Sequence, residues 1–526
     1  MTESTSNRQI ARAAGTVMFA FALSNLIGLV RQVLISRAFG TDHSIDAFYA
    51  ASTYPDLIFS LVAGGALSSA FLPTFTGFLA RGEKRDAWKL ASSIVNLILI
   101  LLSALSVISA LLAPQIIRYI LAPKFPPDQQ EVAASLLRIL LIAPSIFGVS
   151  GLLMGILNSH QKFLLPALAP SMYWIGMIFG LIFLTPSMGV YGLAWGAVFG
   201  AALHLVVQIP GLLRLPDRAY FPSLGLNIPS VREVGRLMGP RLLGVAIIQL
   251  NFVVNTIVAS GLSEGSLSAI KYAWQIMTMP QVVIAQAIAI AALPTFSAQV
   301  ARGEANEMRS SLASTLRGVL LLSLPAAFGL ILLRAPLIAV LFQRGSFDVH
   351  STDLVAWALL WYAAGLVGHN FVEVLSRAFY ALHDTKTPVL VGTAAMTLNI
   401  IFSIAFSALF TKIGWMPHGG LALANSFATA LEAVALFMLM RKRLKGIEGK
   451  SILNGFIIFG SSTLAMSLTV FFWLQFTAGM NLWLEALGGV ALGGLAYLAA
   501  SWLLRVPELQ TVVAAVKRRV IRQPTN

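Results

Sequence analysis

An all-α integral membrane protein is the fold class this sequence predicts, on three observations. Of its 526 residues 57% are hydrophobic and 11% charged, against roughly 25% charged in an ordinary soluble domain, and the mean hydropathy is +0.81. Apolar runs of about 20 residues, enough to cross ~30 Å of hydrocarbon as helix, recur from end to end. These runs are continuously apolar rather than alternating, and within lipid only a helix satisfies its own backbone in such a run, which excludes a barrel.

Runs bounded by charge, Pro or Gly give about 14 transmembrane helices. The first, 12-38, follows Arg8 and Arg12, lacks a convincing cleavage site and reads as a retained span closed by Arg37. The second, 47-79, starts after Asp46 and stops before Arg81, Lys84, Arg85 and Lys89. Arg118 and Lys124 lie between the third, 89-113, and the fourth, 132-158, which carries Arg138; Lys162 precedes the fifth, 164-185. The sixth, 191-213, leads into Arg214, Arg218, Arg232, Arg236 and Arg241, which border the seventh, 235-261. Arg302, Arg309 and Arg317 follow the eighth, 267-300, while Arg334 and Arg344 follow the ninth, 312-333. Lys386 separates the tenth, 353-381, from the eleventh, 388-411, which ends at Lys412. The twelfth, 419-440, runs into Arg441, Lys442, Arg443, Lys445 and Lys450. The thirteenth, 452-476, and fourteenth, 482-504, precede a basic tail with Arg505, Lys517, Arg518, Arg519 and Arg522.

With the amino terminus in the cytoplasm, basic residues fall almost entirely into the even-numbered gaps and the two tails, so both termini are read as cytoplasmic. One wrongly split helix would have inverted every later gap. The formal charge of +15 therefore speaks to topology, not to nucleic acid, because the cations occupy short gaps rather than one polar face.

The string FLPTFTGFLARGE around Pro73 returns as ALPTFSAQVARGE around Pro294, with the same internal spacing. Both copies end a long span and enter a gap of the same side, spans 2 and 8, and an even offset means a parallel repeat. Weaker echoes keep the phase: LLAPQIIRYILAPKF at 111-125 against LLRAPLIAVLFQRGSF at 332-347, and LNSHQKFLLP at 157-166 against LHDTKTP at 382-388. Two parallel-repeat six-helix lobes plus two C-terminal helices follow, an architecture of transporters that rock two halves about a central site. The expected divisions are 1-220 (spans 1-6), 221-445 (spans 7-12) and 446-526 (spans 13-14 and the basic cytoplasmic tail).

Zero cysteines exclude a disulfide, a thiolate metal site and a thiol nucleophile. No HExxH or Gly-rich phosphate loop occurs and the seven His lack ligand spacing, so neither an enzyme nor a metal centre is expected. Intramembrane charge is the remaining signal. Arg31 lies 16 residues after Gly15, roughly 24 Å of helical rise, and is either a binding cation or a snorkelling one. Asn25 and Gln32 lie near it. Lys271, near the start of span 8, is a cavity cation or an interfacial anchor beside Tyr272 and Trp274. Glu373 and Arg377, one turn apart, neutralise each other. Asp46 pairs with Arg31 or Arg37 or caps a helix. Gln249, Asn251, Asn255 and Asn399 are inter-helical amides or an ion site, and Gly192, Gly196 and Gly200 mark close helix packing.

The stretches SNLIGLVRQVLISRAFG, DAFYAA, GALSSAFLPTF, GPRLLGVAIIQLNFVVNTIVAS, LFQRGSFD and above all RAFYALHDTKTPV resemble, in order and across most of the chain, the bacterial peptidoglycan lipid II flippase family (MurJ/MviN), within the superfamily of polysaccharide and multidrug exporters. The resemblance implies two lobes that alternate between inward and outward openings in the bacterial plasma (inner) membrane and carry lipid II, or a similar undecaprenyl-diphosphate glycolipid, with spans 13 and 14 forming a groove for its polyprenyl tail. It implies no catalytic residue. By resemblance Arg31 matches the family's cavity arginine and Asp46 its acidic residue at the Asp-Ala-Phe run, so Arg31, Lys271, Asn25 and Gln275 are the expected substrate-binding residues and Asp46, Asn255 and Asn399 the gating or coupling ones. This chain departs where relatives carry basic residues on span 2 (Phe59, Ser60), an acid before Gly-Ala-Phe (Gly64), an Arg on span 8 (Gln275) and sodium-binding aspartates (Asn255, Asn399). No cofactor is expected, and sodium or proton coupling stays open. Membrane lipids and cell-wall synthesis proteins are the expected partners. Competing readings are an exporter of another lipid-linked oligosaccharide or an amphipathic drug, and a membrane scaffold for cell-wall enzymes.

Overall fold

The computed structural model describes residues 3–62 and 66–510. Gly64 and the tail cations Lys517, Arg518, Arg519 and Arg522 lie outside the described residues. Every regular element among the described residues is helical. Among the described residues, ten of the helical stretches are long and apolar enough to cross a membrane, and an eleventh is if a bent pair counts as one span. The chain is therefore an all-α integral membrane protein. It divides into two compact units, Met1–Ser268 with Arg344–Phe347, and Ala269–Gln343 with Asp348–Asn526.

The first unit contains α1 (Glu3–Phe39), α2 (His43–Val62), α3 (Ala66–Ala80), α4 (Lys84–Leu111), the short α5 (Ala113–Ile116), α6 (Pro127–Leu140), α7 (Ala143–Ser159), α8 (Leu164–Phe179), the short α9 (Thr185–Met188), α10 (Val190–Val206), the short α11 (Ile209–Leu213) and α12 (Pro229–Ala259). Span 4 of the sequence reading is α6 and α7, interrupted where Pro144 opens α7 and cannot continue the previous hydrogen-bond ladder. The α8 and α10 backbones touch. A Cβ on Gly176 would run into the backbone of Gly200, and one on Gly180 would lie 2.5 Å from the carbonyl oxygen of Gly192. The sequence spacing Gly192, Gly196, Gly200 is thus a helix-packing stripe. We expect Gly176→Ala to lower the unfolding midpoint in detergent, since inserting even a methyl into a backbone contact costs about 1–3 kcal/mol. Gly318→Ala, where nothing lies within 4 Å, should leave it unchanged or slightly raised.

The second unit contains α13 (Ser266–Gln281), whose first three residues belong to the first unit, then α14 (Ala287–Ala301), α15 (Ala305–Phe342), α16 (Val349–Ala364), α17 (Leu366–Ala381), α18 (Lys386–Lys412), α19 (His418–Arg443), α20 (Gly449–Thr477) and α21 (Leu482–Leu503). Its core gathers Leu312, Leu316, Leu375, Phe379, Met440 and Phe459 from four helices. Span 10 bends by 44° between α16 and α17. Ser426 of α19 lies against Gly365 at the bend and donates to the Trp361 carbonyl at 2.7 Å, satisfying a backbone group that lipid could not. Helices α20 and α21 pack on each other and on α15.

The repeated Ala-Arg-Gly-Glu strings make the same turn. Gly82 and Gly303 have φ of 77° and 73°, a left-handed conformation open to glycine. The next residues donate alike, Glu83 N to Phe78 O and Glu304 N to Gln299 O, both at 2.9 Å. Each turn is closed by its own ion pair, Arg81 with Glu83 at 3.0 Å and Arg302 with Glu304 at 2.7 Å. The weaker echo behaves likewise: Gln161 and His383 have φ of 57° and 58° at the ends of α7 and α17. Just beyond, Asp384 accepts from the Thr387 amide and hydroxyl at 3.0 and 2.8 Å, and these bonds hold its carboxyl below the usual carboxylate range. The Asp-Thr-Lys-Thr-Pro segment is a helix start built by capping chemistry.

Candidate functional site

Arg31 projects from α1 onto α8. Its guanidinium carbon lies 4.2 Å from the centre of the Trp174 ring, Nη2 donates to Gln32 Oε1 at 2.8 Å and Nη1 lies 3.8 Å from Met177 Sδ. Gln32 in turn donates to the Tyr49 hydroxyl of α2 at 3.0 Å. A cation over the face of an indole is attracted by the ring quadrupole, and a guanidinium keeps in-plane N–H donors available while stacked. Arg31 is half-buried and stacked on α8 through Trp174. Asn25 occupies an exposed position of α1. Trp174 is the partner that sequence reasoning missed. Its signal was present, because it sits within span 5 instead of at an interface where Trp is usual.

Asp46, 3% exposed, resolves to the helix-capping alternative. Its carboxylate accepts from the Gly265 amide at 2.9 Å and the Ser268 amide at 2.7 Å, serving the first turn of α13 as an N-cap supplied from another helix. Around it, His43 pairs with Glu264 at 2.9 Å, Gln129 donates to the His43 carbonyl at 3.0 Å, and the Ser346 amide donates to the Arg37 carbonyl at 3.0 Å. Side chains at Gly40 or Gly345 would collide with the backbone of Ser346 or Arg37. The start of α2 is therefore clasped by the α12–α13 turn, and the end of α1 by the 344–347 segment. Among the coupling candidates, Asn255 donates to Asn251 at 3.1 Å within α12, and Thr53 of α2 meets Thr256 at 3.2 Å.

In the second unit Lys271 and Gln275 are half-buried, one turn apart on α13. Tyr272 is fully buried, and Trp274 packs edge-on to Tyr362 and His369, with ring centres 5.2 and 5.6 Å apart. His369 Nε2 lies 3.0 Å from Asn425 Oδ1, which assigns that nitrogen as donor. Asn399, 1% exposed, accepts from the Ser403 hydroxyl at 3.1 Å. Glu373 and Arg377 form the expected pair at 2.8 Å, and Arg138 reaches the Ala110 carbonyl at 3.3 Å. Of the expected site residues, Arg31, Asn25, Asp46 and Asn255 belong to the first unit and Lys271, Gln275 and Asn399 to the second. The second unit also holds an apolar groove of about 660 Å³, lined by α15, α20 and α21 through Leu321, Leu333, Leu337, Met466, Val490 and Leu498.

Comparison with known proteins gives a consistent result. The profile of the family described as lipid II flippase MurJ matches residues 35–504. The lipid II flippase MurJ of Burkholderia cenocepacia is 34% identical over 440 residues, 82% of this chain and 84% of that protein. The probable lipid II flippase MurJ of Bdellovibrio bacteriovorus is 30% identical over 508 residues, 93% of this chain and 95% of that one. A solved structure of a lipid II flippase MurJ in an inward closed conformation superposes with a TM-score of 0.79 at 25% identity, covering 93% of this chain and 98% of its own. An inward-facing MATE family multidrug resistance transporter shares the fold, with a TM-score of 0.68 at 18% identity over 80% of this chain and 94% of its own. On the family profile and on relatives of this identity and coverage, the chain belongs to the lipid II flippase MurJ family.

Proposed function

We propose that this chain is a lipid II flippase that moves the undecaprenyl-diphosphate-linked peptidoglycan precursor across the bacterial inner membrane by alternating access, without a covalent step and with both termini in the cytoplasm. The observation that carries the reading, in a chain of this family, is Arg31 held half-buried on the Trp174 face. A diphosphate cannot enter hydrocarbon unassisted, and a guanidinium fork replaces part of its lost hydration with charge-assisted hydrogen bonds. Lys271 and Gln275 are proposed as further headgroup contacts, and Asp46 as the residue that sets the conformational equilibrium. Proton or sodium coupling is left to experiment, as is recruitment of cell-wall synthesis proteins. The test is complementation: the chain should restore growth of a bacterium depleted of its own flippase. Failure at normal membrane levels would favour export of another lipid-linked oligosaccharide or an amphipathic drug.

The polyprenyl tail is the proposed occupant of the apolar groove on α15, α20 and α21. Bilayer and groove are equally apolar, so the groove contributes shape and guidance rather than hydrophobic affinity. Gly494 lines it with nothing within 4 Å of an added Cβ, which makes Gly494→Trp a clean way to fill it. We expect that variant to reach the membrane and to transport a long-chain substrate severalfold more slowly, while a short-prenyl analogue in proteoliposomes is less affected.

A further inference from the structure

Glu432 is the one strongly buried acid of the second unit that the proposed transport role leaves unused. It lies on α19, 9% exposed, and among the described residues no hydrogen bond or ion pair reaches its carboxyl. It faces α18 at Gly392, where an added Cβ would sit 3.2 Å from Oε1. The missing side chain is what makes room for the carboxyl.

Helices α16, α17 and α18 pack against α19, and their charges are occupied or remote. On α17, His369 is turned to Asn425 at 3.0 Å, and Arg377 donates through Nη2 to Glu373 at 2.8 Å and keeps a buried Nε without an acceptor. On α16, His350 and Asp353 belong to the first turns. On α18, Lys386 is six residues before Gly392, about 9 Å of helical rise, and Lys412 stands at the far end. Along α19 itself, His418 is at the start and Arg441 is nine residues beyond Glu432, about 14 Å. A carboxylate in this position would be a charge without a counter-ion in an apolar helix pair, which a membrane protein avoids by neutralising it.

We propose that Glu432 is a proton-binding site, a carboxyl that is neutral when enclosed between α18 and α19 and releases its proton when water reaches it. A proton fits better than a metal cation. A dehydrated sodium ion needs several oxygen ligands, whereas Gly392 offers no side chain, and no cluster of three or more acidic or His residues occurs among the described residues. The use of this proton in transport rests on the flippase reading, but the site itself does not.

Infrared difference spectroscopy of the full chain in liposomes tests it, titrated from about pH 3 to 9 so as to span and exceed the usual carboxylate range. A protonated-carboxyl C=O band that persists above that range and fades as pH rises is expected in the unsubstituted protein. It should be absent in Glu432→Gln and present at a shifted position in Glu432→Asp, which guards against a folding defect in the first variant. Glu432→Gln should also flatten the pH dependence of lipid-linked substrate transport. A spectrum unchanged by Glu432→Gln would overturn the proposal even if the protein flips its substrate. So would a band removed by sodium at constant pH. Loss of transport with the titrating band retained would instead count against the flippase reading alone.

Discussion

Arg31→Ala should abolish growth support in a flippase-depleted bacterium while leaving the amount of protein in the membrane unchanged. On the proposed reading the substitution removes a charge-assisted contact to the diphosphate, worth about 1.5–3 kcal/mol or a ten- to hundredfold loss in binding. It also removes the cation stacked 4.2 Å above Trp174. The Gln32–Tyr49 bond does not depend on the Arg31 side chain, and the amount of protein in the membrane checks that the local fold survives. Arg31→Lys retains the charge but loses the planar fork and much of the stacking, so intermediate activity is expected. Trp174→Ala should behave like the lysine variant, since Arg31 keeps its charge and loses only its platform. Comparing substrate binding in detergent across the three separates charge from orientation. Normal growth with Arg31→Ala would remove Arg31 from the transport mechanism.

How much of this was legible in the sequence depends on the distance over which each feature is encoded. The apolar runs, the cationic gaps and the Ala-Arg-Gly-Glu turns are local, and the structure places helices, capping turns and ion pairs where the residues indicate. The Glu373–Arg377 pair was equally readable, being one helical turn long. Partners distant in sequence were not. Asp46 reaches Gly265 across 219 positions, and hydropathy, which ranks lipid against water, carries no information about which helix end lies beside which. The same limit hid Trp174 from Arg31. The bend at Gly365 escaped notice because a single glycine inside an apolar run is ordinary in membrane helices, and its compensation comes from Ser426 on another helix. Glu432 gave no signal because one acid leaves a run this apolar still long enough to span.

Asp46→Ala should produce the second large effect, and its neighbour His43→Ala almost none, although the two residues belong to the same turn of α2. The His43–Glu264 pair is 60% and 46% exposed, and such a pair contributes about 0–1 kcal/mol, screened by salt. Asp46 is different in kind. Its two oxygens are the recorded acceptors for the Gly265 and Ser268 amides, and removing them strands buried donors at about 1–3 kcal/mol each. Gly265 sits at φ 79°, a conformation set by the turn, so it cannot easily rotate its amide toward another acceptor. Amide hydrogen exchange at Gly265 and Ser268 should accelerate at least tenfold in Asp46→Ala, the factor that 1.4 kcal/mol of lost local stability implies. Asp46→Asn keeps one acceptor oxygen and should fall between. If Asp46 tunes the conformational equilibrium as proposed, complementation should decline in the order aspartate, asparagine, alanine, and exchange rates should rise in that same order. Unaltered exchange in Asp46→Ala would mean that the amides find other acceptors and that the capping bond is not what holds this turn.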